Sequence, residues 1–222
     1  MMKAVKLLLV VSVLIFVQAV FAQEKITKVA IIGNSITEGT FLDNPAVNSY
    51  PGQLAKMLPS NWEVGNFGVS GRTMLKNGDY PIWNEQKFKD ALNFQPNIVV
   101  IMLGTNDSKP YNWVHKNDFY ADYISMVDTF ESLASHPKVI VCYPPKAFTH
   151  AYNIDDSVIH NEIIPIIKRV SEEKNLQIID CYTPTSDKSS LFNDGIHPNK
   201  EGAHYLAGII YTALTGKLIG DK

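Results

Sequence analysis

Four short apolar runs, mostly β-branched, punctuate the chain: Val29-Ala30-Ile31-Ile32, Ile98-Val99-Val100-Ile101, Val139-Ile140-Val141 and Leu176-Gln177-Ile178-Ile179. Their near-continuous apolar character, without strict alternation, is the pattern of strands covered on both faces. A weaker run over residues 62–67 predicts a further strand, second in order. Between the runs, apolar residues recur at intervals of three and four. Phe119, Tyr123, Met126, Val127, Phe130 and Leu133 mark a helix over residues 116–134. Ile159, Ile163, Ile166, Ile167 and Val170 mark another over residues 157–174, with Asp155, Asp156 and Ser157 as N-cap candidates and Pro165 expected to kink it. Further helices are expected near residues 49–58, 84–94 and 200–214. Strict alternation of strand and helix predicts an α/β fold, a three-layer α/β/α sandwich around a five-stranded parallel sheet. Ligands bind such sheets beyond the carboxyl ends of the strands, so the chemistry is sought there.

Composition narrows the function classes. The 222 residues are 45% hydrophobic and 19% charged, which excludes intrinsic disorder and fits one domain with a sizeable core. A net charge of −2 and the lack of any basic run leave a nucleic-acid partner nothing to hold. Two cysteines and six scattered histidines argue against a disulfide scaffold or a zinc site, and no metal or cofactor is expected. His115, His136, His150, His160 and His204 read as surface or packing residues.

The first residues read as an address. Lys3 and Lys6 precede an apolar stretch from Leu7 to Val17, and Val20 and Ala22 stand where a signal peptidase needs small residues. Residues 1–22 are therefore expected to be a signal peptide, too short for a membrane span, leaving a mature domain over residues 23–222. The product would be secreted or periplasmic, with no membrane association after cleavage. An oxidising compartment permits a bridge between Cys142 and Cys181, each at a strand end. Neighbouring parallel strands give poor geometry for one, so two reduced core cysteines are expected.

Four strand ends carry reactive residues: Gly33-Asn34-Ser35-Ile36-Thr37-Glu38-Gly39, Asn66-Phe67-Gly68-Val69-Ser70-Gly71-Arg72-Thr73, Gly104-Thr105-Asn106-Asp107 and Asp194-Gly195-Ile196-His197-Pro198-Asn199. Ser35 is a nucleophile only beside a base. His197 has a carboxylate three residues earlier across a glycine turn, so Asp194 can accept from Nδ1–H and leave Nε2 for the Ser35 proton. The N–H of Ser35, the N–H of Gly71 and the Asn106 amide can hold an oxyanion. The G-x-S-x-G elbow is absent, as are the glycine-rich phosphate motifs. Asp107 reads either as a loop brace that holds Asn106 or as a solvated carboxylate. Arg72 is a candidate partner for a sugar carboxylate and Trp113 a candidate platform for a sugar face. The connection over residues 143–156, with two prolines, Phe148, His150 and Tyr152, is expected to rim the pocket.

Together these blocks resemble the SGNH, or GDSL-type, hydrolase family. Ser35, Gly71, Asn106 in Gly104-Thr105-Asn106-Asp107, and the pair Asp194 and His197 match the family's four blocks in order, and the likeness spans Lys28 to Leu214. The resemblance implies a flavodoxin-like fold and a serine esterase without metal or cofactor. The segments around Ser35, Gly71 and Asn106, the last continuing Ser108-Lys109-Pro110, are most similar to secreted carbohydrate and sialate O-acetylesterases, which implies a small-molecule or glycan ester as substrate. The family usually has Asp where this chain has Asn34, a change that bears on local loop bonding. Rival readings are a lysophospholipase or acyl-thioesterase on the same scaffold and a catalytically silent glycan-binding module. The sequence fixes no oligomeric state.

Overall fold

The computed structural model describes residues 25–218, so the expected signal peptide and its cleavage site lie outside the described residues. Five strands, β1 (Thr27–Gly33), β2 (Trp62–Gly68), β3 (Ile98–Met102), β4 (Lys138–Tyr143) and β5 (Gln177–Asp180), form one parallel sheet in the order β2-β1-β3-β4-β5. The chain steps from β1 outward to β2 and then crosses to β3 on the other side. The topological switch point therefore lies between β1 and β3, where their carboxyl ends part.

Alternate residues of the strands feed two cores. Ala30, Ile32, Val99, Ile101, Val139 and Val141 face one side. They pack against residues of three helices, α3 (Gln86–Asn93), α4 (Lys116–Glu131) and α5 (Ile164–Lys174), the ranges following the chain. Val29, Ile31, Val100, Met102, Ile140 and Cys142 face the other side and meet α2 (Tyr50–Met57) and α6 (Lys200–Thr215). The unbroken apolar runs are thus explained by burial on both faces. The edge strand β2 is only half-buried, which is why its pattern is weaker.

Helix boundaries follow local chemistry. Ser49 caps α2, its side chain accepting from Gly52 N–H, and Asn199 caps α6 in the same way through Gly202 N–H. Asp155 is the cap of the segment that leads into α5, accepting from Ser157 N–H. The kink expected at Pro165 takes another form. A π-helical turn over Ile159–Ile163 runs directly into α5, and Pro165 follows that turn as the second residue of α5 within one continuous helical stretch. Cys142 and Cys181 are free and buried, as expected. Among the described residues no helix is long and apolar enough to cross a membrane.

Candidate active site

The switch point gathers all four strand-end blocks. β1 stops at Gly33, and Asn34 turns the chain into a single helical turn, α1 (Ser35–Glu38). The Asn34 side-chain oxygen accepts from Ile36 N–H at 3.0 Å. One amide oxygen suffices for that cap, so the family's usual Asp is not needed there. Ser35, the first residue of α1, is buried at the head of this turn. Its N–H donates to no acceptor among the described residues, and neither does that of Gly71. Gly71 has φ +80°, a left-handed backbone that a side chain would strain.

The loop after β3 supplies the third donor. Asn106 is buried and gives one amide hydrogen to the Arg72 carbonyl at 3.1 Å, which leaves the second for an oxyanion beside Ser35. Asp107 acts as the brace. Its two oxygens accept from Met74 N–H at 3.0 Å and Leu75 N–H at 2.8 Å, tying the Asn106 loop to the loop that carries Gly71. Burial pushes the Asp107 carboxyl up to about 7, against the pull of those N–H groups toward the carboxylate.

The fourth block completes a relay. Ser35 Oγ lies 2.9 Å from His197 Nε2, and His197 Nδ1 lies 2.6 Å from Asp194 Oδ2. The other Asp194 oxygen accepts from the N–H groups of Ile196 at 2.9 Å and His197 at 2.7 Å. Partial burial works to raise the Asp194 carboxyl, but these N–H bonds and the imidazole outweigh it and hold the group down at about 2. An ionised Asp194 makes Nδ1 the protonated ring nitrogen and Nε2 the acceptor for the Ser35 hydroxyl. Gly195 (φ +83°) sits between them, with Thr149 so close that a Cβ would lie 2.5 Å from its methyl group. Only glycine fits this turn.

Two aromatic residues stand at the mouth. Phe41 meets the His197 ring edge-on at 5.1 Å between centroids, and Tyr152 does so at 5.4 Å. The Tyr152 hydroxyl donates to Asp194 Oδ2 at 3.2 Å. Both residues are exposed, 74% and 49%, and both have left-handed backbones, φ 67° and 58°. They border two compartments. A small one of about 130 Å³ holds Ser35, Gly71, Asn106, Lys109 and Ile154. A larger one of about 590 Å³ lies on the far side of His197, lined by Asp43, Asn48, Asn193, Asn199 and Lys200. The nucleophile opens into the small compartment.

Ser35, Gly71, Asn106, Asp194 and His197 therefore converge. Arg72 and Trp113 do not. Arg72 pairs with Glu85 at 2.7 Å, donates to the Ser70 carbonyl at 2.7 Å and lies over the Tyr80 ring, so its guanidinium is already committed. Trp113 is only 7% exposed and packs edge-on against Phe119 in the core, which corrects the expectation of a sugar platform. Phe41 and Lys109 carried no signal as site residues, because an exposed ring and a lysine beside a motif look like ordinary surface. Tyr152 was legible only as part of a long strand-end loop.

A profile of the GDSL-like lipase/acylhydrolase family matches residues 31–205. An acetylxylan esterase of Xylanibacter ruminicola is 42% identical over 210 residues, covering 86% of this chain and 44% of that protein. The chain thus spans less than half the length of that relative. Among solved structures, an acetyl xylan esterase, AlAXEase, superposes with a TM-score of 0.68 at 20% identity, over 84% of this chain and 99% of that one. Est24, a carbohydrate acetylesterase of Sinorhizobium meliloti, does so with 0.68 at 19% identity, over 86% and 99%. These two likenesses concern the fold.

Proposed function

The chain belongs to the GDSL-like lipase/acylhydrolase family, and from that premise we propose that it is a serine esterase that removes acetyl groups from sugar hydroxyls. The observation that carries this reading is the unbroken relay from Ser35 through His197 to Asp194, opening on a compartment of about 130 Å³. Ser35 Oγ attacks the ester carbonyl as His197 Nε2 takes its proton. Asp194 stays ionised and stabilises the imidazolium. The tetrahedral oxyanion receives the N–H groups of Ser35 and Gly71 and the free amide hydrogen of Asn106. His197 then returns the proton to the departing sugar alcohol, leaving an acetyl-enzyme. A water activated by the same nitrogen hydrolyses it and regenerates Ser35.

The size of the compartment speaks for acetyl. A two-carbon acyl group fits beside Ser35, whereas an octanoyl chain would have to leave the compartment. This weighs against the lysophospholipase and thioesterase rival. A silent glycan-binding module has no use for a bonded nucleophile, base and acid. The acetylxylan esterase relative and the motif segments shared with sialate O-acetylesterases support a carbohydrate leaving group. The amino-terminal segment supports action outside the cytoplasm. The test compares kcat/KM for p-nitrophenyl acetate and p-nitrophenyl octanoate, with Ser35→Ala as the blank. Preference for acetate is expected; preference for octanoate would sink the carbohydrate reading.

A further inference from the structure

Lys109 presents an ammonium that nothing in the reaction above uses. It lies three residues after Asn106, and its backbone is fixed there, the N–H donating to the Asn106 carbonyl at 3.3 Å and the carbonyl accepting from Asn112 and Trp113 N–H at 2.9 Å. The residue is only 8% exposed, and it lines the small compartment together with Ser35, Gly71 and Asn106. Apart from the triad, it is the one ionic side chain that does so.

Several other basic side chains near this end of the sheet have acidic partners, whereas among the described residues Lys200 in the larger compartment and Lys87, which donates to the Gly68 carbonyl, do not. Arg72 holds Glu85, Lys76 faces Asp122, Lys116 faces Glu162 and Lys146 faces Asp156. Among the described residues Lys109 has no carboxylate partner. Its near neighbour is the exposed ring of Tyr111, whose centroid is 6.0 Å from Nζ, the outer limit for a cation over an aromatic face. Asp107 cannot serve, because both its oxygens are taken by the N–H groups of Met74 and Leu75. Asp194 cannot either, being bonded to His197, Ile196 and Tyr152. The Lys109 side chain is buried along most of its length and carries an ammonium without a carboxylate partner, and a bound anion would supply that counter-charge.

We propose that Lys109 is a specificity-determining residue that binds a carboxylate carried by the substrate, so that the preferred esters are acetyl groups on acid-bearing glycans. The proposal rests on the carbohydrate-ester reading above. The cation that meets the sugar's carboxylate is then Lys109 and not Arg72. A carboxylate on the acetylated residue or its neighbour supplies the missing counter-charge while the ester carbonyl lies over Ser35. A neutral acetylated sugar leaves the ammonium as it is in the empty site.

The experiment uses two acetylated xylo-oligosaccharides of equal length, one neutral and one bearing a glucuronosyl carboxylate next to the acetylated residue. The ratio of kcat/KM for the acidic over the neutral substrate is measured for the full chain, for Lys109→Met and for Lys109→Arg. A charge-assisted hydrogen bond predicts a ratio of about 10 or more for the unaltered protein. It should fall toward 1 in Lys109→Met, return in Lys109→Arg, and shrink as salt is raised. Equal turnover of the two substrates by the unaltered protein overturns the proposal. So does a Lys109→Met variant that slows both alike, which would assign the charge to the step common to both. If p-nitrophenyl acetate is cleaved with dependence on Ser35 but neither glycan is, the carbohydrate reading itself fails and the subsite falls with it.

Discussion

The floor and the rim of the active site are built on opposite terms. On the floor, Ser35, Asn106 and His197 are buried, and each is held by short bonds to the backbone of its own or a neighbouring loop. Asn34 caps the turn of Ser35, Asp107 braces the loop of Asn106, and Asp194 grips the N–H groups of its own turn. On the rim, Phe41 and Tyr152 are open to solvent on left-handed backbones, joined to the floor by ring edges and one hydroxyl. Reacting atoms need placement to a fraction of an ångström, which backbone bonds supply. Groups that greet a variable substrate need exposed surface, and strained loop positions are where folds offer it.

The division can be broken by substitution, and the largest effect comes first. Ser35→Ala should lower kcat on the order of 10⁶-fold with the melting temperature nearly unchanged, as read from acetate release and a thermal melt. Asp194→Asn should cost about 10⁴-fold in kcat, because the neutral side chain no longer fixes the His197 tautomer. The same variant carries a pH signature. Asp194 titrates at about 2 in the folded chain and near 3.9 when unfolded, so its carboxylate stabilises the fold above the unfolded value. That contribution is lost as pH falls through about 2. Melts should therefore show Asp194→Asn less stable at pH 6, with the gap closing toward pH 2.

Asn106→Ala should lower kcat about 10²–10³-fold with little change in KM. An unchanged kcat would move the oxyanion donor elsewhere. Tyr152→Phe gives the smallest effect, a loss of less than about 10-fold, since the 3.2 Å bond it removes leaves Asp194 with three shorter ones. A loss as large as that of Asn106→Ala would show that the rim works as part of the catalytic unit, and the contrast would dissolve.

The same contrast explains what could be read in advance. The five strands were legible because burial on both faces leaves an unbroken apolar run. Ser35, Gly71, Asn106, Asp194 and His197 were legible because each sits in a short block whose neighbours fix its geometry. Arg72 and Trp113 misled because their partners are tertiary. Glu85 lies 13 residues beyond Arg72, and Phe119, though only six residues beyond Trp113, sits on the following helix, so neither contact follows from local spacing. The π turn ahead of Pro165 was hidden too, since the spacing of apolar residues does not announce an extra residue in a helical turn. Phe41 and Lys109 stayed invisible because their meaning lies in what surrounds them.

The nucleophile and its base meet across 162 residues of chain. Ser35 arrives with the first strand, and His197 stands just ahead of the last helix, α6, which packs onto α2 and β5 and is pinned to α2 by the Gln53 side chain donating to the Lys200 carbonyl at 2.9 Å. Such a pairing closes a long loop, and the entropic cost of closing a loop grows with its length. Until residues 200–215 pack against α2 and β5, the Ser35 hydroxyl has no base beside it, so the relay depends on the docking of α6.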